Sequence, residues 1–372
     1  MNRIGQFFVI LIFFCVAVLG GGYGYAAEST PADWDTVIAQ AKKEGVVSLY
    51  ALWKPAARTA LTDAFRNKYG INVEFFPFSR GEDMVTRAEQ EKTAGLRVVD
   101  VFGAGAPSLM TVLKPKGLLG SMRPHLVLPE VTDPKAWRGD KVPFMDKEET
   151  TVAMLASINR DIVYNESLIK KGEITTYKDL LKPQYKGKIT MNDPSVTGVG
   201  NAFMNYLAFS IWSLPEASDF LKQLLTKQDL VIQRDNRMHI ESVARGKYAI
   251  GLANDPDTLA TFLKVKSPLG VVYTKEGIFV GPAAGAVALA ANPAHPNAAK
   301  LFVNWLLSKE GQAVFAPSFG TPSLRDDVPT TGIDPVFLVQ KGEKIYFSNE
   351  AEIISRPKMR AICKEIIEGV AK

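Results

Sequence analysis

The sequence predicts an α/β protein built from strand–helix units around parallel sheets. The clearest sign is the run from Val46 to Phe76, where a β-branched strand pattern, a helical pattern and a second strand pattern follow one another. Two more strand–helix units follow it, and a second group of alternating strands and helices begins at Thr176. Strands that alternate with helices pair in parallel, and each helix crosses over a face of the sheet.

The first crossover helix has the residues expected at its two ends. Pro55 stands in its first turn and Gly70 follows its last residue, while Leu61 and Phe65 lie on its apolar face. In open α/β sheets, ligands bind beyond the carboxyl ends of the strands. The loop of residues 51–54 lies at such an end, and we therefore expect function there.

The remaining elements are predicted from apolar period, caps and turn residues. Helices are expected over residues 31–44, 82–94, 107–116, 199–212, 215–226, 239–245, 296–307 with a continuation over 309–315, and 357–370, and strands over 98–102, 151–165, 189–192, 230–232, 248–253 and 283–291. Residues 117–143 are rich in proline and glycine and interrupt the alternation. The pattern therefore indicates two α/β blocks.

Residues 1–26 predict a cleavable secretory signal peptide. Arg3 gives a short positive segment, and an unbroken apolar run extends from residue 7 to residue 19. Cleavage after Ala26 places Gly24 at position −3, whereas cleavage one residue later would place the bulky Tyr25 there. An uncleaved membrane anchor is the alternative, which the glycines after the apolar run disfavour. We therefore expect an exported protein.

Composition limits the possible classes. The chain has 372 residues, 47% of them hydrophobic and 22% charged, which favours two globular domains. The net charge is +5, or +4 without the signal segment, whose only charged residue is Arg3. Because Lys and Arg are not clustered, we expect no nucleic-acid partner. Cys363 is the only cysteine after residue 26, so no intramolecular disulfide is possible there, and we expect it to pack as a small apolar residue.

The sequence shows no set of catalytic residues. His125, His239 and His295 are widely separated, and the zincin, CxxC, nucleophile-elbow and P-loop motifs are absent. Residues 197–200 loosely resemble a dinucleotide-binding loop but lack its third glycine. We therefore expect no enzyme, no cofactor and no bound metal.

Three loops have the composition of anion sites. Residues 79–81, 103–106 and 195–198 each follow a strand, precede a helix and contain glycine, most of them with a small hydroxyl residue. Backbone N–H groups and the dipole at a helix start favour a negative charge. For any single loop, ordinary helix capping is an equal alternative. Three such loops at the same edge favour binding.

Several motifs follow one another along the chain: the Val46–Phe76 run, Val99–Phe102, Tyr185–Ile189 with Asp193–Ser195, Ala298–Gln312 and Pro322–Val328. Their order resembles that of the extracellular solute-binding proteins of ABC importers. The branch resembled includes ferric-ion, polyamine, thiamine, phosphonate and sugar-phosphate binders. The resemblance covers essentially the whole mature chain and implies the type II periplasmic binding fold, in which two α/β lobes enclose a ligand cleft. It places lobe I at 27–158 and 280–330, and lobe II at 159–279 and 331–372.

The resemblance also implies a function. We expect a periplasmic, monomeric receptor that captures a small organic anion (a carboxylate, a phosphonate or a phosphorylated compound) and delivers it to ABC permease subunits. Ferric binders of this branch carry a His, a Glu and a Tyr-Tyr pair, and the matching positions here hold Lys54, Gly105 and Pro256-Asp257. A lysine would repel Fe³⁺. We therefore do not expect a ferric-ion binder of the Tyr-Tyr type.

Ten residues are expected to contact the ligand. Lys54, Arg80 and Arg237 would neutralise it, and Lys54 and Arg80 would repel each other in an empty cleft because neither loop holds a carboxylate. The remaining residues would orient the ligand or pack on it; they are Trp53, Ser79, Gly105, Ser195, Thr197, Gly198 and Asp255. For Arg237, a solvated surface charge is the alternative.

Two other functions stay open. In the first, a polyamine or another cation is held by Asp255 and Asp257, with Trp53 offering a cation–π face. The second is an exported enzyme on the same scaffold.

Overall fold

The computed structural model describes residues 33–78 and 81–370. The predicted signal peptide, its cleavage site, Ser79 and Arg80 lie outside these residues. No helix in the described part of the chain is long and apolar enough to cross a membrane.

The described chain alternates helices and strands. The helices are α1 (Trp34–Glu44), α2 (Pro55–Tyr69), α3 (Gly81–Thr93), α4 (Pro129–Thr132), α5 (Val199–Tyr206), α6 (Leu214–Lys227), α7 (Asn236–Ala244), α8 (Pro256–Lys264), α9 (Pro296–Leu307), α10 (Lys309–Phe319) and α11 (Glu350–Val370). The strands are β1 (Val46–Ala51), β2 (Asn72–Pro77), β3 (Val101–Ala104), β4 (Leu119–Gly120), β5 (Thr151–Ala153), β6 (Ser157–Ile158), β7 (Ile162–Asn165), β8 (Ile189–Asn192), β9 (Val231–Gln233), β10 (Ile250–Leu252), β11 (Leu269–Val271), β12 (Ile278–Gly281), β13 (Ala286–Ala290) and β14 (Ile345–Phe347). Short 3₁₀ and π-helical segments connect several of them.

The first sheet confirms the opening strand–helix–strand unit. Its strand order is β2-β1-β3-β13-β4, and β1 pairs in parallel with β2 in the register Val46–Asn72. Gly45 ends α1 with a φ of 75°, and Gly70 ends α2 with a φ of 73°, a left-handed conformation that suits glycine. The predicted starts and stops of these elements follow from such local signals.

The first sheet is mixed, whereas the sequence predicted parallel strands. β13 lies antiparallel to β3, β4 and β5. Between β5 and β13 the chain forms the second sheet. β13 is therefore not connected to a neighbouring strand of the first sheet by a single crossover helix. Strand direction at this position is therefore set by the path of the chain between sheets, which no local pattern records.

A second sheet organises the middle of the chain. Its order is β11-β7-β10-β8-β9; β8 pairs in parallel with β9 and β10, while β7 is antiparallel to β10 and β11. The first sheet and its helices pack around a core from residues 34–158 and 278–324, together with Ile353. The second sheet packs in cores drawn mainly from residues 162–272. We call these bodies the first and second lobe; the exact boundaries given above stay a prediction.

A small sheet joins the lobes. β6 and β12 carry the chain between them, and β14 completes the order β14-β12-β6. Ile158 and Val280 belong to the first core, whereas Phe279 belongs to the second. The small sheet is therefore shared by both lobes.

One predicted helix differs from the observed one. The helix predicted from Pro357 begins seven residues earlier at Glu350, so Pro357 lies in its interior. Proline favours a helix start and therefore gave an incomplete indication of where this helix begins. The helix predicted over 296–307 is confirmed as α9, and its predicted continuation from Lys309 is α10, which the Ser308 hydroxyl caps by accepting a hydrogen bond from the Gly311 N–H.

Candidate ligand-binding cleft

A cavity of about 410 Å³ lies between the two lobes. Lys54, Pro107 and Phe319 line it from the first lobe, and Thr197 and Asp257 line it from the second. Residues of the small joining sheet lie at its base. A volume of this size suits a small metabolite.

The start of α5 forms one wall of the cleft. Thr197, Gly198 and Val199 line the cavity there, and Gly198, which precedes the helix, has no side chain with which to cap it. A Cβ on Gly200 would lie 2.3 Å from the carbonyl oxygen of Asn192, so only glycine lets this helix start sit directly against the end of β8. The N–H groups of the first turn are thereby brought to the cavity edge.

Two arginines of α11 stand beside this helix start, and the sequence analysis did not single them out. Arg356 lines the cavity; its Nε and Nη2 donate to Glu352 Oε1 and Oε2 at 2.7 and 3.0 Å. Arg360 Nη1 donates to Thr197 Oγ1 at 2.7 Å. Positive charge from the far end of the chain therefore gathers at the start of α5.

Lys54 lines the opposite wall and has an acidic partner. Its Nζ lies 3.1 Å from Asp257 Oδ2, and both side chains are exposed. The same Nζ lies 5.7 Å from the centroid of the Phe319 ring. Neither of the two loops considered in the sequence analysis holds a carboxylate; the partner of Lys54 comes from a third place, the first turn of α8.

Asp255 also lines the cavity, but its carboxylate caps α8. Asp255 Oδ1 accepts hydrogen bonds from the Thr258 N–H at 2.9 Å and from the Thr258 hydroxyl at 2.7 Å. This is the usual role of an aspartate at a helix start. Its oxygens are therefore only partly open to a ligand.

Trp53 lies behind the cavity wall. It is 3% exposed, and its Nε1 donates to the carbonyl oxygen of Ala284 at 3.0 Å. Its ring packs 4.8 Å from that of Phe315, and a Cβ on Gly103 would lie 2.5 Å from it. Trp53 therefore supports Ala284, which lines the cavity, and the predicted packing of its own ring on a ligand does not fit this burial.

The other predicted residues lie at different distances from the cleft. Gly105 is next to the lining residue Ala106. Ser195 turns away, since its N–H and hydroxyl both donate to Asp193 Oδ1, at 2.8 and 2.5 Å. Arg237 is exposed on α7, with its guanidinium 5.7 Å from the Phe262 ring, and it does not line the cavity. Of the predicted set, the structure brings Lys54, Thr197, Gly198 and Asp255 together at the cleft.

Two buried ionisable groups lie in the second lobe, joined by an amide. Burial raises the pKa of Asp161 to about 7, although its hydrogen bond from the Tyr177 hydroxyl opposes this. Burial lowers the pKa of His239 to about 4. Asn254 connects them, since its Nδ2 donates to the Asp161 carbonyl at 3.0 Å and its Oδ1 lies 3.1 Å from His239 Nε2.

A group of carboxylates elsewhere surrounds a lysine. Oxygens of Asp146, Glu148 and Glu350 lie within 4.8 Å of one another, and Lys114 Nζ pairs with each of the three, at 2.9, 2.5 and 2.7 Å. The lysine supplies the positive charge that a cation would bring. Among the described residues that line the cleft there is no His, Cys or Tyr.

Comparison with known proteins identifies the class. Residues 60–338 match the family of bacterial extracellular solute-binding proteins, and the chain belongs to that family. Members of this class are the solute-binding components of ABC importers, which confirms the resemblance seen in the sequence. The family and the fold are those of transport binding proteins.

One relative in sequence is an uncharacterized protein of Haemophilus influenzae. It is 34% identical over 267 residues, which cover 68% of this chain and 69% of that protein.

Solved structures show the same two-lobed fold. The Trichodesmium protein IdiA (FutA), in complex with iron and citrate, is 20% identical with a TM-score of 0.68, over 88% of this chain and 99% of that one. The periplasmic binding protein AfuA of Actinobacillus pleuropneumoniae, with exogenous fructose-6-phosphate bound, is 21% identical with a TM-score of 0.61, over 87% and 98%. The ferric iron-binding protein A of Mannheimia haemolytica, in an open conformation, is 16% identical with a TM-score of 0.69, over 88% and 98%. At these identities the likeness establishes the type II periplasmic binding fold and no ligand.

Proposed function

We propose that this protein is a monomeric periplasmic receptor that captures a small organic anion in the cleft and delivers it to ABC permease subunits. A carboxylate, a phosphonate or a phosphorylated compound fits this description. The observation that carries the proposal is the start of α5, where Thr197 and Gly198 line the cavity beside Arg356, and where Arg360 holds the Thr197 hydroxyl.

The chemistry of this corner favours an anion. The first turn of a helix offers N–H groups that have no partner within the helix, and its dipole adds a partial positive charge. Arg356 is held in place through Nε and Nη2, which leaves Nη1 of its planar fork for a ligand oxygen. Hydrogen bonds to charged groups contribute about 1.5–3 kcal/mol each. An anion bound here would gain several of them.

Ferric iron bound by a Tyr-Tyr pair is not part of the proposal. Hard cations take oxygen ligands such as carboxylates and phenolates, and Lys54 stands in this cleft with no Tyr among the described lining residues. The iron and the sugar phosphate in the structural relatives are ligands of those proteins.

The cationic alternative has weaker support from the cleft. Asp255 and Asp257 both line it, as a polyamine site would need. However, Asp255 Oδ1 caps α8 and Asp257 Oδ2 is paired with Lys54, so each carboxylate has only one oxygen without such a partner. An exported enzyme on this scaffold would need a nucleophile or a metal. Turnover of a substrate by the purified protein would support the enzyme hypothesis.

Native mass spectrometry of protein purified without denaturation would identify the bound compound. Thermal-shift screening with dicarboxylates, phosphonates, sugar phosphates and polyamines would provide the independent test. We expect an anion to raise the melting temperature and polyamines to have no effect. Stabilisation by polyamines alone would overturn the anion proposal.

Two variants would locate the site. Thr197→Val should weaken binding of the identified anion about threefold to tenfold, since it loses one hydroxyl hydrogen bond. Arg356→Lys should weaken it about tenfold or more, because the planar fork is lost. The matched controls are Thr226→Val and Arg245→Lys, whose side chains are solvent-facing on α6 and just after α7. Equal affinities for both test variants and controls would remove the start of α5 from the site.

A further inference from the structure

A second cavity of about 310 Å³ lies against the small sheet that joins the lobes. We call it the second cavity. The larger part of its lining is apolar and includes Phe144, Val280, Leu324, Ile345 and Phe347. It does not coincide with the cleft but shares Gly281, Pro282 and Ser348 with it, so the two spaces border the same residues.

The charges at the second cavity have one sign. Arg138 and Lys141 line it, and no acidic residue is among its described lining residues. Arg138 Nε donates to Asp326 Oδ1 at 2.9 Å, which neutralises part of its charge. Lys141 is exposed, and its ammonium group forms no ion pair or hydrogen bond with another described residue. An apolar space with an unpaired ammonium at its rim complements a ligand that has an apolar body and one acidic group.

Ser348 connects the two spaces. Its hydroxyl donates to Glu352 Oε2 at 2.8 Å, and Glu352 in turn holds Arg356, which lines the cleft. Its N–H donates to the Val280 carbonyl at 2.9 Å, which fixes it to β12. An occupant of the second cavity would therefore touch the same joining residues that border a ligand in the cleft.

The geometry points to a second binding site in this cavity, for a small aromatic or branched aliphatic compound with a single carboxylate or comparable acidic group. The apolar walls bury the carbon frame, and Lys141 with Arg138 receives the acid. Burial of apolar area and a charge-assisted hydrogen bond are independent contributions, so removal of either should weaken binding. The site does not depend on which anion occupies the cleft.

Benzoate is a suitable probe. Benzyl alcohol keeps the ring but lacks the charge, and acetate keeps the carboxylate but lacks the ring. Met145 lines the second cavity and not the cleft, so the NMR signal of its ¹³C-labelled methyl group reports on this space alone. Met191, fully buried in the second lobe, provides the reference signal. We expect a saturable shift of the Met145 signal with benzoate, and binding at least about threefold weaker for either analogue.

Lys141→Gln should weaken benzoate binding about threefold to tenfold without affecting the fold, because the side chain is exposed. Lys147→Gln is the matched control, an exposed lysine nearby that does not line the cavity. If the Met145 signal does not shift, or if both lysine variants bind equally, the second site is wrong. Benzoate binding that responds to Thr197→Val but not to Lys141→Gln would place benzoate in the cleft and also overturn this site.

Discussion

The ammonium group of Lys54 lies 3.1 Å from the carboxylate of Asp257, and the two residues stand on opposite walls of the cleft. Lys54 precedes α2 in the first lobe, and Asp257 lies in the first turn of α8 in the second. The pair therefore links the lobes across the space in which we place the ligand. An anion that binds there competes with Asp257 for Lys54.

Asp257→Asn should tighten binding of the anion about twofold to fivefold. An exposed ion pair contributes about 0.2–1 kcal/mol, and the substitution frees Lys54 from this competitor. Isothermal titration calorimetry with the identified compound measures the change. Asp229→Asn is the control, since it breaks an equally exposed pair with Lys186 at 3.7 Å away from the cleft. Weaker binding by Asp257→Asn would show that Asp257 itself holds the ligand.

Ferric titration should leave the protein colourless. A ferric ion bound to tyrosinate absorbs visible light by charge transfer, and no tyrosine is among the described residues that line the cleft. Visible spectroscopy during Fe³⁺ addition makes the measurement, with the same additions to buffer alone as the reference. A band that appears on titration and is lost when a tyrosine is replaced by Phe would contradict the prediction.

Ligand binding should bring the lobes closer together. The cleft has walls from both lobes, and the lobes are joined by the short strands β6 and β12, so closure requires only small changes near these strands. Small-angle X-ray scattering should show a smaller radius of gyration at saturation. Superimposable curves with and without the compound recovered by native mass spectrometry would exclude closure.

Asp161→Asn should make the protein more stable at neutral pH. The folded-state pKa of Asp161 is raised to about 7, so between its ordinary value near 3.8 and pH 7 the unfolded chain loses a proton that the folded chain keeps. The contribution of Asp161 is therefore present at low pH and lost as the pH rises through this window. At pH 7.5 the variant should gain about 1–3 kcal/mol, since each unit of pKa shift corresponds to about 1.4 kcal/mol.

Urea unfolding of the wild type and the variant across about pH 4 to 8 tests this. The free energy of unfolding that the variant gains over the wild type should grow with pH up to about 7 and then level off. His239 works in the opposite direction: its pKa is lowered to about 4, so its contribution is present above about 6.5 and lost as the pH falls. The contribution of His239 is the same in the wild type and in the variant, so it cancels in the difference between their free energies of unfolding. Asp219→Asn, on the exposed face of α6, should show no such trend; a pH-independent difference for Asp161→Asn would contradict the assignment.

Local signals allowed much of the fold to be predicted. Pro55, Gly45 and Gly70 mark the first helices because backbone conformation at these positions depends on the residue itself. Residues 197–198 were placed at the cleft because theirs was one of three glycine-containing loops that follow a strand and precede a helix.

The rest of the site depends on contacts between distant parts of the chain. Arg356 reaches the cleft because α11 packs on α5, where Asn205 Nδ2 donates to Glu352 Oε1 at 2.9 Å across 147 residues of sequence. The sequence analysis missed Arg356 because of Pro357. Proline favours the first turn of a helix, so the last helix was predicted to begin at Pro357, after Arg356. Trp53 was predicted to contact the ligand because it lies in the loop after β1. It is buried instead, because the burial of a loop residue depends on the residues that pack on it.

The strand order of the first lobe has a consequence for biosynthesis. β13 lies between β3 and β4 and also pairs with β5, yet it follows all of them in the chain by more than 130 residues. Until residues 286–290 leave the ribosome, β3 has an open edge and β4 and β5 lack their partner. Closing contacts between such distant segments is slow, because the chain entropy must be lost before the pairing energy is gained. The first lobe therefore stays incomplete while the chain emerges.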